Sequence, residues 1–111
     1  MDTAAIQNQL RQFAEERDWN TYHSPKNLSM ALAIEASELM EHFQWVGSEE
    51  SRRVVDHPKE LGEVADEVAD VFVLALRIAD VLGIELEAVV TAKMGKNAKK
   101  YPSDRKHRWS Y

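Results

Sequence analysis

Two apolar segments of this chain repeat at helical spacing, and each contains a pair of carboxylates. The first pair, Glu35 and Glu38, lies within LSMALAIEASELMEHF, and the second, Glu67 and Asp70, lies within LGEVADEVADVFVLAL. Residues three apart share a helix face, and no Lys or Arg lies one turn from either pair. Burying unpaired carboxylates is costly. A fold that packs these segments together therefore needs a compensating partner, and a divalent cation is one.

An acidic pair three residues apart is usually a solvated helix face, but the positions of these pairs favour a site. On a helical wheel Glu35 falls between Leu28 and Leu39, inside the apolar stripe of its helix. The second pair belongs to a denser acidic face that also includes Glu63 and Asp66. Both pairs lie on long predicted helices, which can pack antiparallel and bring the four carboxylates together.

The ligand types restrict the metal. Oxygen ligands without His or Cys favour Mg²⁺, Mn²⁺ or Ca²⁺ over zinc, and Mg²⁺ usually takes substrate phosphates as further ligands. The four carboxylates therefore suit a metal–phosphate substrate. A di-iron carboxylate bundle instead requires Glu-x-x-His on two helices. His42 follows Glu38 by four residues, and the helix of the second pair contains no His, so the di-iron alternative is disfavoured.

The periodicity predicts an all-α fold, a single domain built as a bundle of four main helices. Ser24 followed by Pro25 is typical of a helix start, and Gly47 and Gly83 are typical of helix ends. The helices are predicted over about residues 3–18, 25–46, 48–55, 58–82 and 85–100, with residues 103–111 as an extended tail. Helix 58–82 is apolar nearly all round in its second half. One small bundle cannot cover such a surface, so we expect self-association.

Composition excludes several classes of function. A net charge of −5 argues against binding polymeric nucleic acid. Seven of the fourteen basic residues follow residue 92, which suits a solvated tail or, less commonly, binding of a small polyanion. No apolar run is long enough to cross a bilayer, so no membrane partner is expected. The chain has no cysteine and its first residues lack a secretion-signal pattern, so we expect a cytoplasmic protein, although the lack of cysteine is equally consistent with an oxidising compartment.

Four segments together resemble a known family. FAEERDW, YHSPKNLSMALAIEASELMEHFQW, DEVADVFVLAL and KMGKNAKKYP resemble the MazG-like all-α nucleoside triphosphate pyrophosphohydrolases, most closely the small dCTP pyrophosphatase branch. The resemblance covers about residues 6–102 and includes the ordered motif ExxE, a spacer of 28 residues, and ExxD. Glu63-x-x-Asp66 is a second ExxD. We choose the later frame because the family's acidic pair runs directly into an apolar segment.

The resemblance implies an activity and a set of site residues. The expected reaction is Mg²⁺-dependent hydrolysis of a (deoxy)nucleoside triphosphate, with dCTP or a modified dCTP as candidates, to the monophosphate and pyrophosphate. Mn²⁺ is an alternative ion, and the expected assembly is a homodimer or homotetramer. The ion would be held by Glu35, Glu38, Glu67 and Asp70. Substrate contacts are expected from Trp19, His23, Asn27, Trp45, Lys93, Asn97, Lys100 and Tyr101.

Several of these residues have structural alternatives. Glu41, one turn beyond Glu38, could orient or deprotonate the attacking water, but a solvent-facing role is equally consistent with its position. Trp19 is balanced between base stacking and the core. His23 and Asn27 flank a helix start, where a capping role competes with contact to sugar or base.

Two positions differ from the dCTP-specific relatives, and a second class of function stays open. Leu10 stands where those relatives have a histidine, and Leu74 stands where they have a tyrosine. These changes leave the four carboxylates intact and put cytosine preference in question. The alternative to an enzyme is a non-catalytic helical module that binds nucleotides or a partner protein.

Overall fold

The computed structural model describes residues 1–103, and within this range every element of regular secondary structure is a helix. The all-α prediction is confirmed. The last residues of the predicted extended tail, 104–111, lie outside the described range. The helices are α1 (Thr3–Glu16), α2 (Pro25–Glu41), α3 (Ser48–Arg52), a 3₁₀ helix (Arg53–Asp56), α4 (Pro58–Leu82) and α5 (Leu86–Lys100). In the part of the chain described, no helix has the length and apolarity needed to cross a membrane.

The helix starts follow from local side-chain chemistry. Ser24 accepts a hydrogen bond from the backbone N–H of Asn27 at 3.1 Å, and Pro25 occupies the first helical position of α2, as predicted. Asp2 caps α1 and Glu85 caps α5 in the same way. The start of α2 is thereby fixed two residues after His23, which the sequence marks as a candidate site residue.

Two helices end in a left-handed turn. Gly83 has φ 66°, and the N–H of Ile84 reaches the carbonyl of Ala79, which closes α4 as predicted. Asp18 adopts φ 54° after α1, and the N–H of Trp19 donates to the carbonyl of Ala14 at 2.9 Å. The first helix therefore ends two residues earlier than predicted, and the turn sets the direction of the Trp19 backbone.

The second helix is shorter than predicted. It ends at Glu41 instead of reaching residue 46, because the N–H groups of His42 and Phe43 bond to carbonyls three residues back. Gly47 then occupies the N-cap position of α3, without a side-chain cap. The segment predicted as one short helix is divided into α3 and the 3₁₀ helix.

The core lies around α4, which packs most extensively against α2 and then against α1. Helices α2 and α4 run antiparallel, since His42 and Phe43, just after the end of α2, line one cavity with Glu60 and Val64 at the start of α4. The apolar side chains that are fully buried come from all three helices: Ala14, Leu28, Leu76 and Ala79. The site described next lies along this α2–α4 contact.

The fifth helix contacts the rest of the described chain only slightly. It shares a cavity with α4 near Phe72 and Val90, yet both of these side chains are exposed. The radius of gyration is 17.0 Å, whereas a compact domain of this length has about 13 Å. Large apolar side chains are exposed on α2, α4 and α5, among them Met30, Ile34, Val68, Phe72, Val89, Val90 and Met94.

Candidate active site

Three carboxylates from two helices meet across the α2–α4 contact. One oxygen each from Glu35, Glu38 and Glu67 lie within 4.8 Å of one another, and all three residues are partly buried. The i, i+3 spacing places the first two on one face of α2, and antiparallel packing sets the third opposite them. Asp70 is more exposed and lies beside Glu35 in the wall of the adjoining cavity.

The alternative ExxD frame, Glu63 and Asp66, lies on the same helix as Glu67 and Asp70. Glu63 and Asp66 are both exposed, and neither joins the cluster of three carboxylates found among residues 1–103. The geometry thus agrees with the later ExxD frame, in which Glu67 faces α2.

The cluster is electrostatically unsatisfied. Glu35 Oε2 and Glu67 Oε2 are buried and have no hydrogen-bond partner among the described residues. Ionised carboxylates can only accept hydrogen bonds, so Glu35 gains a partner only by taking up a proton and donating it. The pKa of Glu35 is raised from 4.5 to about 7. The largest cause is its side-chain contact with Glu38, and contact with Glu67 and burial add to it. A divalent cation would replace that proton, and this donor set of hard oxygens fits Mg²⁺ or Mn²⁺.

A cavity of about 390 Å³ adjoins the cluster. Glu35 and Asp70 lie in its wall, and the remaining wall is largely apolar. Trp19 packs edge-on against Phe13, with ring centroids 5.4 Å apart. The lining residues come from α1, the turn after it, α2 and α4: Leu10, Phe13, Trp19, His23, Glu35, Asp70, Val73, Leu74 and Arg77. A flat aromatic base fits such a space, and the two positions that depart from dCTP-specific relatives, Leu10 and Leu74, are both in its wall.

A buried arginine forms the polar end of this cavity. Arg77 is 7% exposed and donates from Nε to His23 Nδ1 at 3.2 Å, and from Nη2 to Asn20 Oδ1 at 2.7 Å. It also donates from Nη1 to Asp80 Oδ2 at 3.3 Å, and Asp80 is paired with Arg11 at 2.7 Å. Hydrogen bonding and charge from Arg11 lower the pKa of Asp80, while burial and then the Arg77 charge lower the pKa of His23.

This network was missed by the sequence analysis. Arg77 lies seven residues after Asp70, two turns along the same helix face. A residue two turns away lies beyond the i, i+3 and i, i+4 neighbours that define a helix pair. The spacing was available in the sequence, but the partners Asn20 and His23 lie more than 50 residues away.

The other predicted site residues lie outside the cavity wall. The side-chain amide of Asn27 donates to the carbonyl of Tyr22 at 3.0 Å, which is a structural role at the start of α2. Glu41 is the exposed last residue of α2, and Trp45, in the turn beyond it, is 88% exposed. The α5 residues also do not line the cavity, and α5 has no extensive contact with α2: Lys93, Asn97, Lys100 and Tyr101.

The fold and site define a class: an all-α bundle whose central helix contact holds a carboxylate cluster beside a base-sized cavity. Residues 30–111 match the MazG-like family, and the chain belongs to that family. It is 37% identical over 91 residues to dCTP pyrophosphatase 1 of Rattus norvegicus and 36% identical over 92 residues to that of Homo sapiens. These alignments cover 82% and 83% of this chain. They cover 54% of each relative, so the chain spans about half the length of the curated relatives it matches.

A solved structure matches over a larger share of both chains. The crystal structure of a pyrophosphatase from Archaeoglobus fulgidus DSM 4304 superposes with a TM-score of 0.83 at 40% identity. The match covers 93% of this chain and 94% of that one. The all-α fold of the described residues is thus also found in a solved pyrophosphatase.

Proposed function

We propose that this protein is a Mg²⁺-dependent nucleoside triphosphate pyrophosphohydrolase that converts a (deoxy)nucleoside triphosphate to the monophosphate and pyrophosphate. The observation that carries the proposal is the cluster of Glu35, Glu38 and Glu67 with two buried, unpartnered oxygens beside a base-sized cavity. The activities named for the rat, human and archaeal relatives support it. Cytoplasmic clearance of unwanted nucleotides would be the corresponding role.

The four carboxylates would bind the ion together. Glu35, Glu38 and Glu67 offer oxygens from both helices, and Asp70 can add another from the cavity wall. Bound Mg²⁺ would neutralise phosphate charge and lower the pKa of the attacking water. Glu41, one turn beyond Glu38 on α2, is proposed to orient that water or accept its proton.

The cavity would bind the base and sugar. Trp19 offers an aromatic face, and His23 offers a polar group in the same wall. Trp45 and Asn27 remain proposed contacts that do not line the cavity of their own chain. A base bound beside Glu35 and Asp70 would leave its phosphates next to the cluster.

We further propose that the protein works as a homodimer or homotetramer. The fifth helix packs little on its own chain and exposes Val89, Val90 and Met94. Burying such a face against a second copy removes apolar area from water. The polar face of α5, with Lys93, Asn97, Lys100 and Tyr101, would then contact phosphates in a site that two copies build together.

The test is product formation. The purified protein is incubated with a panel of (d)NTPs and 5-substituted dCTPs, in Mg²⁺ or in EDTA, and products are resolved by anion-exchange chromatography. We expect metal-dependent monophosphate and pyrophosphate. The Glu67→Gln variant should lose turnover, while Glu63→Gln, an exposed glutamate on the same helix, should retain it. Nucleotide binding without any product would instead favour the alternative, a non-catalytic binding module.

A further inference from the structure

Resting on the function proposed above, we propose that Arg77 holds His23 as a hydrogen-bond donor. We propose further that this donor selects a nucleobase carrying a carbonyl oxygen on the edge farthest from the sugar. The favoured substrates are then 4-keto pyrimidine and 6-keto purine nucleotides. Their 4-amino and 6-amino counterparts are disfavoured.

The tautomer of His23 follows from its partner. Arginine is always protonated and only donates hydrogen bonds, so the 3.2 Å contact from Arg77 Nε requires His23 Nδ1 to be an unprotonated acceptor. A neutral imidazole with a bare Nδ1 carries its proton on Nε2. Burial and the neighbouring guanidinium lower the pKa of His23, which favours this neutral form. His23 therefore offers an N–H from the cavity wall.

Arg77 is itself held in place. Its Nη2 donates to Asn20 Oδ1 at 2.7 Å, and its Nη1 donates to Asp80 Oδ2 at 3.3 Å. Asp80 is anchored in turn by Arg11, so the buried guanidinium has both a counter-charge and a fixed orientation. Two of its hydrogen bonds tie α4 to the turn before α2, and the third stays within α4, so the partner of the imidazole is held in a fixed position.

The polar groups at this end of the cavity are all donors. Arg77 has no acceptor atom, and His23 presents Nε2–H. Elsewhere in the wall the acceptors are the carboxylates of Glu35 and Asp70, and the remaining lining side chains are apolar or aromatic. A base amino group at the donor end would be left without a partner, whereas a carbonyl oxygen would accept from it. Leaving a buried polar group unpaired discriminates strongly between close analogues.

The direction of the bound nucleotide decides which base atom reaches this end. With the phosphates at the carboxylates, Arg77 lies seven residues beyond Asp70, roughly 10 Å along the α4 axis. In a pyrimidine, position 4 lies opposite the ring nitrogen that carries the sugar, and in a purine the 6-substituent lies on the distal edge. Uracil, thymine and guanine place a carbonyl there. Cytosine and adenine place an amino group there.

The kinetic test compares dUTP, dTTP and dGTP with dCTP and dATP. We expect kcat/KM for dUTP to exceed that for dCTP by about tenfold or more, as an unpaired buried amino group predicts. His23→Phe keeps a ring beside Trp19 but removes the donor, and should bring the two values within about threefold of each other. Arg77→Met should do the same, mainly through KM, while the exposed Arg52→Met serves as the matched control. Equal or faster turnover of dCTP by the wild-type protein would overturn the proposal.

A spectroscopic readout isolates the positioning role. Ring ¹⁵N chemical shifts of His23, assigned by comparison with His23→Phe, should show the Nε2–H tautomer in the intact protein. In Arg77→Met they should show a mixture of tautomers, and Arg77→Lys should restore the bias only in part. A protonated ring or an Nδ1–H tautomer in the wild-type protein contradicts the assignment, whether or not the Arg77 variants fold.

Failure of the proposed function is distinguishable from failure of this inference. Calorimetric titration with α,β-imido dUTP and α,β-imido dCTP in Mg²⁺ measures base preference without turnover. Tighter binding of the dUTP analogue in a protein that forms no product would support the selection of keto bases by His23 and refute the proposed hydrolysis. Product formation with no preference between the two bases would support the proposed hydrolysis and refute the base selection.

Discussion

Glu35 of α2 and Glu67 of α4 face each other across the central helix contact, and each buries one oxygen that has no hydrogen-bond partner in the described chain. Two unsatisfied acceptors this close destabilise the metal-free fold, since each was hydrogen-bonded to water in the unfolded chain. Natural sites of this kind exchange stability for a preformed binding geometry. The pair therefore makes separable predictions about activity and stability.

Neutralising one member of the cluster should separate those two effects. In Glu67→Gln the shape is kept while one negative charge is removed, so we expect turnover to fall by about a hundredfold or more, with weakened metal binding. The melting temperature in EDTA should stay the same or rise, because repulsion with Glu35 is relieved. Enzyme assays and thermal denaturation measure the two effects. A melting temperature lowered by many degrees in EDTA would mean that Glu67 stabilises the fold by another contact.

The raised pKa of Glu35 predicts how stability depends on pH. Because its folded-state pKa is about 7 and its ordinary value is 4.5, its contribution to stability is fully present below pH 4.5 and is lost as the pH rises through 7. The lowered pKa of His23 acts in the opposite sense. The informative quantity is thus the difference between the wild-type protein and Glu35→Gln, in EDTA, from pH 4.5 to 8. That difference should shift in favour of the variant as the pH rises, and a flat difference would contradict it.

The two tryptophans assigned to the base should respond differently. Trp19 lines the cavity, so Trp19→Leu should weaken nucleotide binding by the loss of about 1–3 kcal/mol of stacking, with KM affected more than kcat. Trp45 is exposed and lies outside that cavity, so Trp45→Leu is the matched comparison. Steady-state kinetics on both variants decides the point. An equal loss in the Trp45 variant would indicate that Trp45 contacts nucleotide in an assembled form.

The exposed face of α5 predicts association in solution. Light scattering after size exclusion should give a mass of at least two chains, and Val90→Asp should shift it towards one chain by placing a charge in the apolar face. Activity should fall with the shift in mass if α5 completes a shared site. Lys99→Asp, a charge change of the same sign at an exposed position outside the apolar and phosphate-facing sets, is the control. A monomeric, fully active wild-type protein would refute both parts.

Much of the fold could be predicted from short-range chemistry. Ser24 with Pro25 and Gly83 define helix ends through their own backbone preferences, so those boundaries were predicted closely. The end of α2 was missed because it depends on hydrogen bonds three residues back at His42 and Phe43, which no residue type marks clearly. Asp18 was missed because a left-handed turn is uncommon outside glycine.

The candidate site also has a part that could be predicted from the sequence and a part that could not. The i, i+3 spacing predicted that Glu35 and Glu38 share one face of α2, and the family resemblance selected Glu67 over Glu63 as their partner on α4. The Arg77 contacts with Asn20 and His23 could not, because they join α4 to a turn more than 50 residues away in sequence. The position of α5 could not be predicted either, since its basic and amide side chains do not reveal which part of the chain, or of a second copy, they face.

One helix, α4, carries Glu67 and Asp70 near its middle and Arg77 towards its end, with Leu74 between them. A helix keeps this separation whatever side chains it displays. Substitutions at the cavity wall, such as those at Leu10 and Leu74, can therefore change which nucleotide is accepted without moving the carboxylates. Evolution could thus change the nucleotide that the proposed site accepts in single steps, because the carboxylate cluster would be inherited intact.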